Sequence, residues 1–160
     1  MQSKTLMQMF TLGLALAAPV AFAGESATQL TCPQGTKQSG SKEEGLFCRK
    51  SELAGGSFVA EGPYRSFHPN GKKAAVGQYA NGFKTGTWYF YDEAGTQYGK
   101  TEFRESNYHG TRTLYFASGK PHFIEQYQNG LKDGVVQELS EDGKVVHESR
   151  FEKGKEVAVK

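Results

Sequence analysis

From Gly62 onward, short stretches of alternating apolar and polar residues are broken by glycines at regular intervals. The clearest stretch is GTWYFYDEAG, Gly86 to Gly95: an aromatic run, an acidic turn and a glycine. The frame recurs at Gly62 and Gly71, Gly110 and Gly119, and Gly134 and Gly143, with opening glycines 24 residues apart. A fixed period of this size marks a repeat architecture. Trp88-Tyr89-Phe90-Tyr91 and His122-Phe123-Ile124 are rich in strand formers, and helical spacing is absent. Asn70-Gly71, Ala94-Gly95, Ser118-Gly119 and Asp142-Gly143 mark a first turn in each unit. Gly82, Ser106, Gly130 and Gly154 mark a second. Turn glycines suit backbone at positive φ, which they adopt without steric cost. Short connections force antiparallel neighbours, so the pattern predicts a meander of about eight strands. The expected fold is all-β: an elongated single-layer antiparallel meander of four stacked 24-residue β-hairpin repeats, opening at 62, 86, 110 and 134.

Aligned columns separate scaffold from variation. Phe67, Tyr91, Tyr115 and Leu139 form one apolar column, and Tyr79, Phe103, Tyr127 and Phe151 another. Both are expected to be structural ladders, because neighbouring hairpins can bury rings that one hairpin cannot. Tyr64, Trp88, Arg112 and Val136 share a more variable column, as do Ser66, Phe90, Leu114 and Glu138. Period-two alternation points both away from Phe67 and Tyr91. Variable columns on an ordered scaffold are natural places for specificity, so Tyr64, Trp88, Phe90 and Arg112 are the candidate binding surface. The alternative is that a curled sheet buries part of this face.

The frame G-x-W/Y-x-x-aromatic-x-x-x-G-K, followed by an aromatic and an N-G-x-K-x-G turn, resembles the MORN-variant repeat family. That family includes bacterial proteins known as YwqK-type antitoxins. GPYRSFHPNGKKAAVGQYANGFKTG, Gly62 to Gly86, is the closest unit. The second unit departs where Glu105-Ser106-Asn107 replaces N-G, and the fourth has Val136 in place of an aromatic. The resemblance implies a twisted, single-layer antiparallel sheet of stacked hairpins without catalysis, and it names no partner. The aromatic run also looks like the repeats of choline- and cell-wall-binding modules, although those keep a Trp in each repeat and this chain has one Trp in all.

The segment before the repeats adds a compartment. Lys4, an apolar run from Met9 to Val20 and Ala21-Phe22-Ala23 fit a cleaved signal peptide over residues 1–23. The run is too short to span a bilayer, which needs roughly 20 residues. The mature chain is therefore expected in the periplasm or outside the cell, with an N-terminal segment over 24–61 and the repeat domain over 62–160. Cys32 and Cys48 are the only cysteines. An even count in an exported chain predicts a disulfide, stapling the polar stretch Pro33 to Gly45. Leu46-Phe47-Cys48 is expected to add a short strand to the edge of the repeats, and Ser51 to Ala60 to form a loop.

Charge and chemistry narrow the function. Of the 19 Lys and Arg, one is Lys4, so the mature chain carries almost no net charge against its 17 acids. This disfavours nucleic-acid binding through an overall field. His68, His109, His122 and His147 fall in four different columns, and neither HExxH nor GxSxG is present. No catalytic, cofactor-binding or metal-binding residues are expected. Lys72, Lys120 and Lys144 recur on one rim and Lys84 and Lys132 on the other; they would serve either solubility or attraction to an anionic partner. The expected function is a protein-interaction scaffold of the cell envelope, with toxin neutralisation as a specific form. The alternatives are a carbohydrate or cell-wall-polymer binder and contact with anionic lipid.

Overall fold

The structure, a computed structural model, describes residues 28–50 and 58–158. The expected leader, Met1 to Ala23, and most of the expected loop, 51–57, lie outside the described residues. Eleven strands in chain order form one antiparallel sheet. They are β1 (Thr36–Ser41), β2 (Gly45–Lys50), β3 (Val59–Phe67), β4 (Lys73–Ala80), β5 (Phe83–Tyr91), β6 (Gln97–Arg104), β7 (Asn107–Tyr115), β8 (Pro121–Gln128), β9 (Leu131–Leu139), β10 (Val145–Glu152) and β11 (Lys155–Val157). The four repeats account for β3 to β10, the meander that the glycine spacing predicts.

Three corrections accompany that agreement. The polar stretch after Pro33 is not only a loop, because Thr36–Ser41 is β1, paired with β2 from Thr36↔Lys50 to Ser41↔Gly45. Val59 and Ala60 belong to β3 rather than to a loop, since they complete its pairing with Lys50 and Arg49. Lys155–Val157 adds a short strand after the fourth unit. In each case backbone pairing with a neighbouring strand outweighs weak local propensity.

Two turn types alternate. In the first, His68 N donates to Lys72 O and Gly71 N donates to His68 O, both at 2.8 Å. The same pair of bonds recurs at Asp92–Thr96, Phe116–Lys120 and Ser140–Lys144. In the second, both central residues have positive φ, as at Asn81 (φ 50°) and Gly82 (φ 84°). Each second turn also donates across its own hairpin arm to the next strand back: Gly82 N to Ala60 O in β3, Ser106 N to Lys84 O in β5, Gly130 N to Tyr108 O in β7 and Gly154 N to Lys132 O in β9. Consecutive units are thereby stitched along this rim.

The opening glycines do something that their spacing does not reveal. Gly62, Gly86, Gly110 and Gly134 lie inside β3, β5, β7 and β9 at positive φ, beside breaks in register. Between Thr101↔Arg112 and Phe103↔Tyr108, the single residue Glu102 faces three residues of β7. Glu102 Oε2 accepts from Thr111 N at 3.3 Å, and Gln126 Oε1 accepts from Val135 N at 3.0 Å. At φ of 94° a side chain on Gly110 would be strained, and its Cβ, 2.0 Å from Glu102 Oε2, would also displace that carboxylate. Bulges of this kind increase local twist and re-aim the flanking side chains.

The N-terminal segment closes the first edge. Cys32 and Cys48 form the expected disulfide, with Cα atoms 5.5 Å apart. Leu30, Leu46 and Cys48 make a small buried core against which Cys32 and Phe67 pack. Gln38 holds the segment in place, accepting from Leu30 N at 2.7 Å and donating to Thr28 O at 2.8 Å.

Candidate functional site

The two faces of the sheet have different contents. On the first, Tyr64, Gly77, Trp88, Thr101, Arg112, Glu125, Val136 and Ser149 follow one another across the strands. Rings from the Tyr79 column lean over this row. Tyr64, Tyr79, Trp88 and Phe103 meet mostly edge to face with centroids 5.1–6.0 Å apart, and Tyr108 continues the series to Tyr127 at 5.1 Å. The Phe67–Tyr91 column lies on the opposite face, as alternation requires. The two regular apolar columns are thus on different faces, and the Tyr79 column shares its face with Tyr64 and Trp88.

This corrects the expected exposure of Trp88. Only 1% of it reaches solvent, and it is the largest fully buried side chain among the described residues. Its indole is boxed by Tyr64, Tyr79 and Phe103, with Lys84 Nζ 4.6 Å above the ring, and Nε1 donates to Gln78 O at 3.2 Å. Stacking on the bare Gly77 backbone lets the ring sink below the surface of a one-layer sheet. Tyr64, half-buried, is one wall of this box.

One unit further on, ions replace the aromatic box. Arg112 occupies the Trp88 column, where its guanidinium pairs with the buried Glu125. Lys132 Nζ reaches the other Glu125 oxygen, Oε1, at 2.9 Å, while Tyr127 Oη donates at 3.4 Å to Oε2, the oxygen that Arg112 holds. Burial pushes the Glu125 carboxyl up, but hydrogen bonds from Lys132 and Arg112 outweigh it and hold the group below its ordinary value of 4.5. Arg112 is therefore part of an internal ion cluster rather than a free surface cation.

Phe90 is placed differently. It belongs to a second row on the first face, Ala75–Phe90–Gly99–Leu114–Phe123–Glu138, where the apolar members are half-buried. Tyr98 is the unpaired residue of the Phe90–Tyr91 register break, 47% exposed, and its ring tilts against Phe90 at 6.3 Å. At the far end His122 stacks on Phe116 and Phe123, both at 4.1 Å. The strip has no layer over it among the described residues. The sequence misses Tyr98, because only the bulge swings it into this position.

The rim lysines are largely committed to the fold. Lys72 Nζ donates to Ala94 O and Lys120 Nζ to Glu141 O, both at 2.8 Å, tying each first turn to the next. Lys144 Nζ pairs with Asp142 at 2.6 Å, and Lys84 and Lys132 lie over Trp88 and Phe151. Among the described residues no group of three His, Cys, Asp or Glu could hold a metal ion. His147, Ser149 and Glu156 do meet, with His147 Nε2 3.2 Å from Ser149 Oγ. However, Ser149 Oγ donates to Glu156 Oε1 at 2.9 Å, so the acid holds the serine and not the histidine, unlike a hydrolytic triad.

Fold and faces define a class: a non-helical hairpin-repeat sheet whose units bury one another's rings and leave strips of both faces open. The chain carries MORN-variant repeats, since the model of the MORN repeat variant matches residues 60–81 and 108–129. These stretches fall on the first and third units, while the departures at Glu105-Ser106 and Val136 fall on the second and fourth. MORN repeats are commonly protein- or lipid-interaction modules. Among solved structures, the chain is similar to a component of the Glycosylation Associate Protein (Gap123) complex from Streptococcus agalactiae. The two are 18% identical with a TM-score of 0.40, over 69% of this chain and 20% of that one, so this chain spans about a fifth of its length. No curated protein matches the chain. Among the described residues no helix is long and apolar enough to cross a membrane.

Proposed function

We propose that the protein is a non-catalytic interaction scaffold, exported to the bacterial cell envelope, which holds a partner protein against the strip centred on Phe90, Leu114 and Phe123. The observation that carries this reading is the contrast within one face. Trp88 and its neighbours are consumed by packing, whereas the adjacent row keeps half-buried apolar side chains beside an exposed Tyr98. Apolar and aromatic patches of this kind favour protein partners. Protein is preferred to anionic lipid because the rim lysines are tied to turn carbonyls, to Asp142 and to rings. Export rests on the leader pattern in residues 1–23 and on the Cys32–Cys48 bridge, since disulfides persist in oxidising compartments.

A photo-crosslinking residue placed at Phe90 in the native envelope is the test, with the same residue at Lys37 on the outer strand β1 as control. A reproducible protein adduct from position 90 alone is expected; none, or the same adducts from both positions, defeats the reading. Toxin neutralisation is the narrower form. A toxin gene beside this one would raise it, and failure of the purified protein to protect against that toxin would remove it.

A further inference from the structure

The outer edge of β10 is built like three edges that the sheet has already filled. β4, β6 and β8 each accept the next strand in one register. Ala80↔Phe83 and Tyr79↔Lys84 recur as Arg104↔Asn107 with Phe103↔Tyr108, and as Gln128↔Leu131 with Tyr127↔Lys132. β11 takes up the same register on β10, with Glu152↔Lys155 and Phe151↔Glu156. It pairs only with Arg150 to Glu152, whereas β5, β7 and β9 continue past the glycine bulge to cover Ala75–Val76, Gly99–Lys100 and Phe123–Ile124. The equivalent residues of β10, His147 and Glu148, have a strand on one side only among the described residues.

Exposure follows from that difference. The covered equivalents in β4, β6 and β8 are buried or half-buried, while Val145, Val146, His147 and Glu148 are all exposed, Val146 to 60%. The hydrogen-bonding direction is fixed as well. Lys153 and Gly154, both at positive φ, form a two-residue turn, so Glu152 and Lys155 are a hydrogen-bonded pair. Alternation then turns the backbone N–H and C=O of Glu148 to the outer side. The opposite end of the sheet differs: β1, Thr36–Ser41, offers no apolar side chain and carries Lys37, of the residue type that guards edges against pairing.

We propose that an extended segment of a partner protein adds as an antiparallel strand along Val145 to Glu148, in line with β11, with an apolar residue opposite His147 and a basic one opposite Glu148. The repeat itself indicates the apolar residue. Phe90 and Leu114 hold that place opposite Ala75 and Gly99, and Glu138, which holds it opposite Phe123, already flanks His147 on its inner side. An apolar side chain there prolongs the row that runs from Phe90 to His147. Charge indicates the basic residue, since an acid and a base directly opposite stabilise a strand pair. Main-chain hydrogen bonds supply the affinity of strand addition, and alternate side chains supply its specificity. A second copy of β10 is the poorer occupant, because two-fold pairing about His147 or Glu148 sets that residue against itself.

Amide NMR of the full oxidised chain tests the edge, with a capped peptide of the sequence Arg112 to Phe116 carrying Thr113→Lys as the probe. β7 sets Thr113 opposite Lys100 and Leu114 opposite Gly99, so the probe brings lysine to Glu148 and leucine to His147. Peptide-dependent shifts and slowed amide exchange are expected at Val145 to Glu148. Methylating the backbone nitrogen of the probe's lysine, which faces β10, is expected to weaken binding about tenfold. Methylating that of its leucine, which faces away, is expected to leave binding unchanged. Glu148→Lys, at an exposed position, is expected to weaken this probe roughly fivefold and to favour one carrying Thr113→Glu. No shift at millimolar peptide, equal effects of the two methylations, or shifts centred on the Phe90 strip overturns the proposal. Shifts of the same residues on raising the protein concentration alone assign the edge to a second copy and overturn it too. Position 90 in the crosslinking test lies on the sheet face and not on this edge, so the two readings fail separately.

Discussion

The indole of Trp88 lies on the backbone of Gly77: a Cβ built on that glycine would be 2.2 Å from Cδ2 and from Cε2 of the ring. Both contacts are to the fused edge of a fully buried ring, which cannot swing aside as the end of a flexible chain could. Gly77 itself has ordinary negative φ, so the requirement is for space and not for backbone freedom. Gly77→Ala should therefore destabilise by about 2–3 kcal/mol through overpacking. Trp88→Ala should cost about 3–5 kcal/mol through the cavity it leaves. Urea unfolding of each variant measures both, and a Gly77→Ala protein as stable as the parent would contradict the close approach.

The Arg112–Glu125–Lys132 cluster makes stability depend on pH. Glu125 titrates lower in the folded chain than its ordinary value of 4.5, so the unfolded chain takes up its proton first as pH falls. Its contribution is fully present above 4.5 and is lost as pH drops through the folded value. Glu125→Gln should cost roughly 2 kcal/mol at neutral pH, less than a fully enclosed pair because Arg112 and Lys132 reach solvent. The gap between parent and variant should close in acid. Urea midpoints across pH 7 to 3 check this, and a constant gap would count against it.

The disulfide anchors the N-terminal edge. Cys32 and Cys48 are 16 residues apart, and Cys48 is completely buried in the small Leu30–Leu46 core. On the chain-entropy account, closing such a loop is worth about 3 kcal/mol. Reduction should lower stability by about 2–4 kcal/mol and release β1 first, because among the described residues β1 pairs only with β2. Hydrogen exchange with and without reductant, read at Thr36–Ser41, shows whether the loss begins there or is spread over the sheet.

Glu105 is a residue at odds with its turn. It has φ of 49° where the equivalent residues Asn81 and Asn129 both have 50°. Asparagine tolerates the left-handed region better than glutamate. Glu105→Asn should thus stabilise by about 0.5 kcal/mol, without disturbing the Ser106 hydroxyl that accepts from Lys84 N at 3.0 Å. A lower melting temperature for the variant would refute the reading of this turn.

These residues also mark where sequence reading stopped. The period, turns, meander and disulfide were legible because each rests on local chemistry: glycine for positive φ, aromatic columns at equal spacing, and two cysteines. The candidate site was legible only in part. Phe90 was found with its row on the open strip. Trp88 was placed in the same open column as Tyr64, because alternation tells which face a residue takes but not how deep it lies. Depth was decided by Gly77, on the neighbouring strand, and by Lys84, which covers the ring. Tyr98 and the opening-glycine bulges were missed for a related reason. A register break is a property of two paired strands, and neither strand alone records it.

By itself the sequence determined a repeated hairpin sheet, its strand order and its stapled N-terminus, because short-range turn chemistry leaves an antiparallel chain few other paths. Only the tertiary structure decided which aromatics are interior and which remain open. Burial in a one-layer sheet depends on what the adjacent strands place beside, beneath and above each ring. Thus Trp88, the most conspicuous residue of the chain, is scaffold, whereas the row through Phe90 keeps its apolar side chains half-buried at the surface.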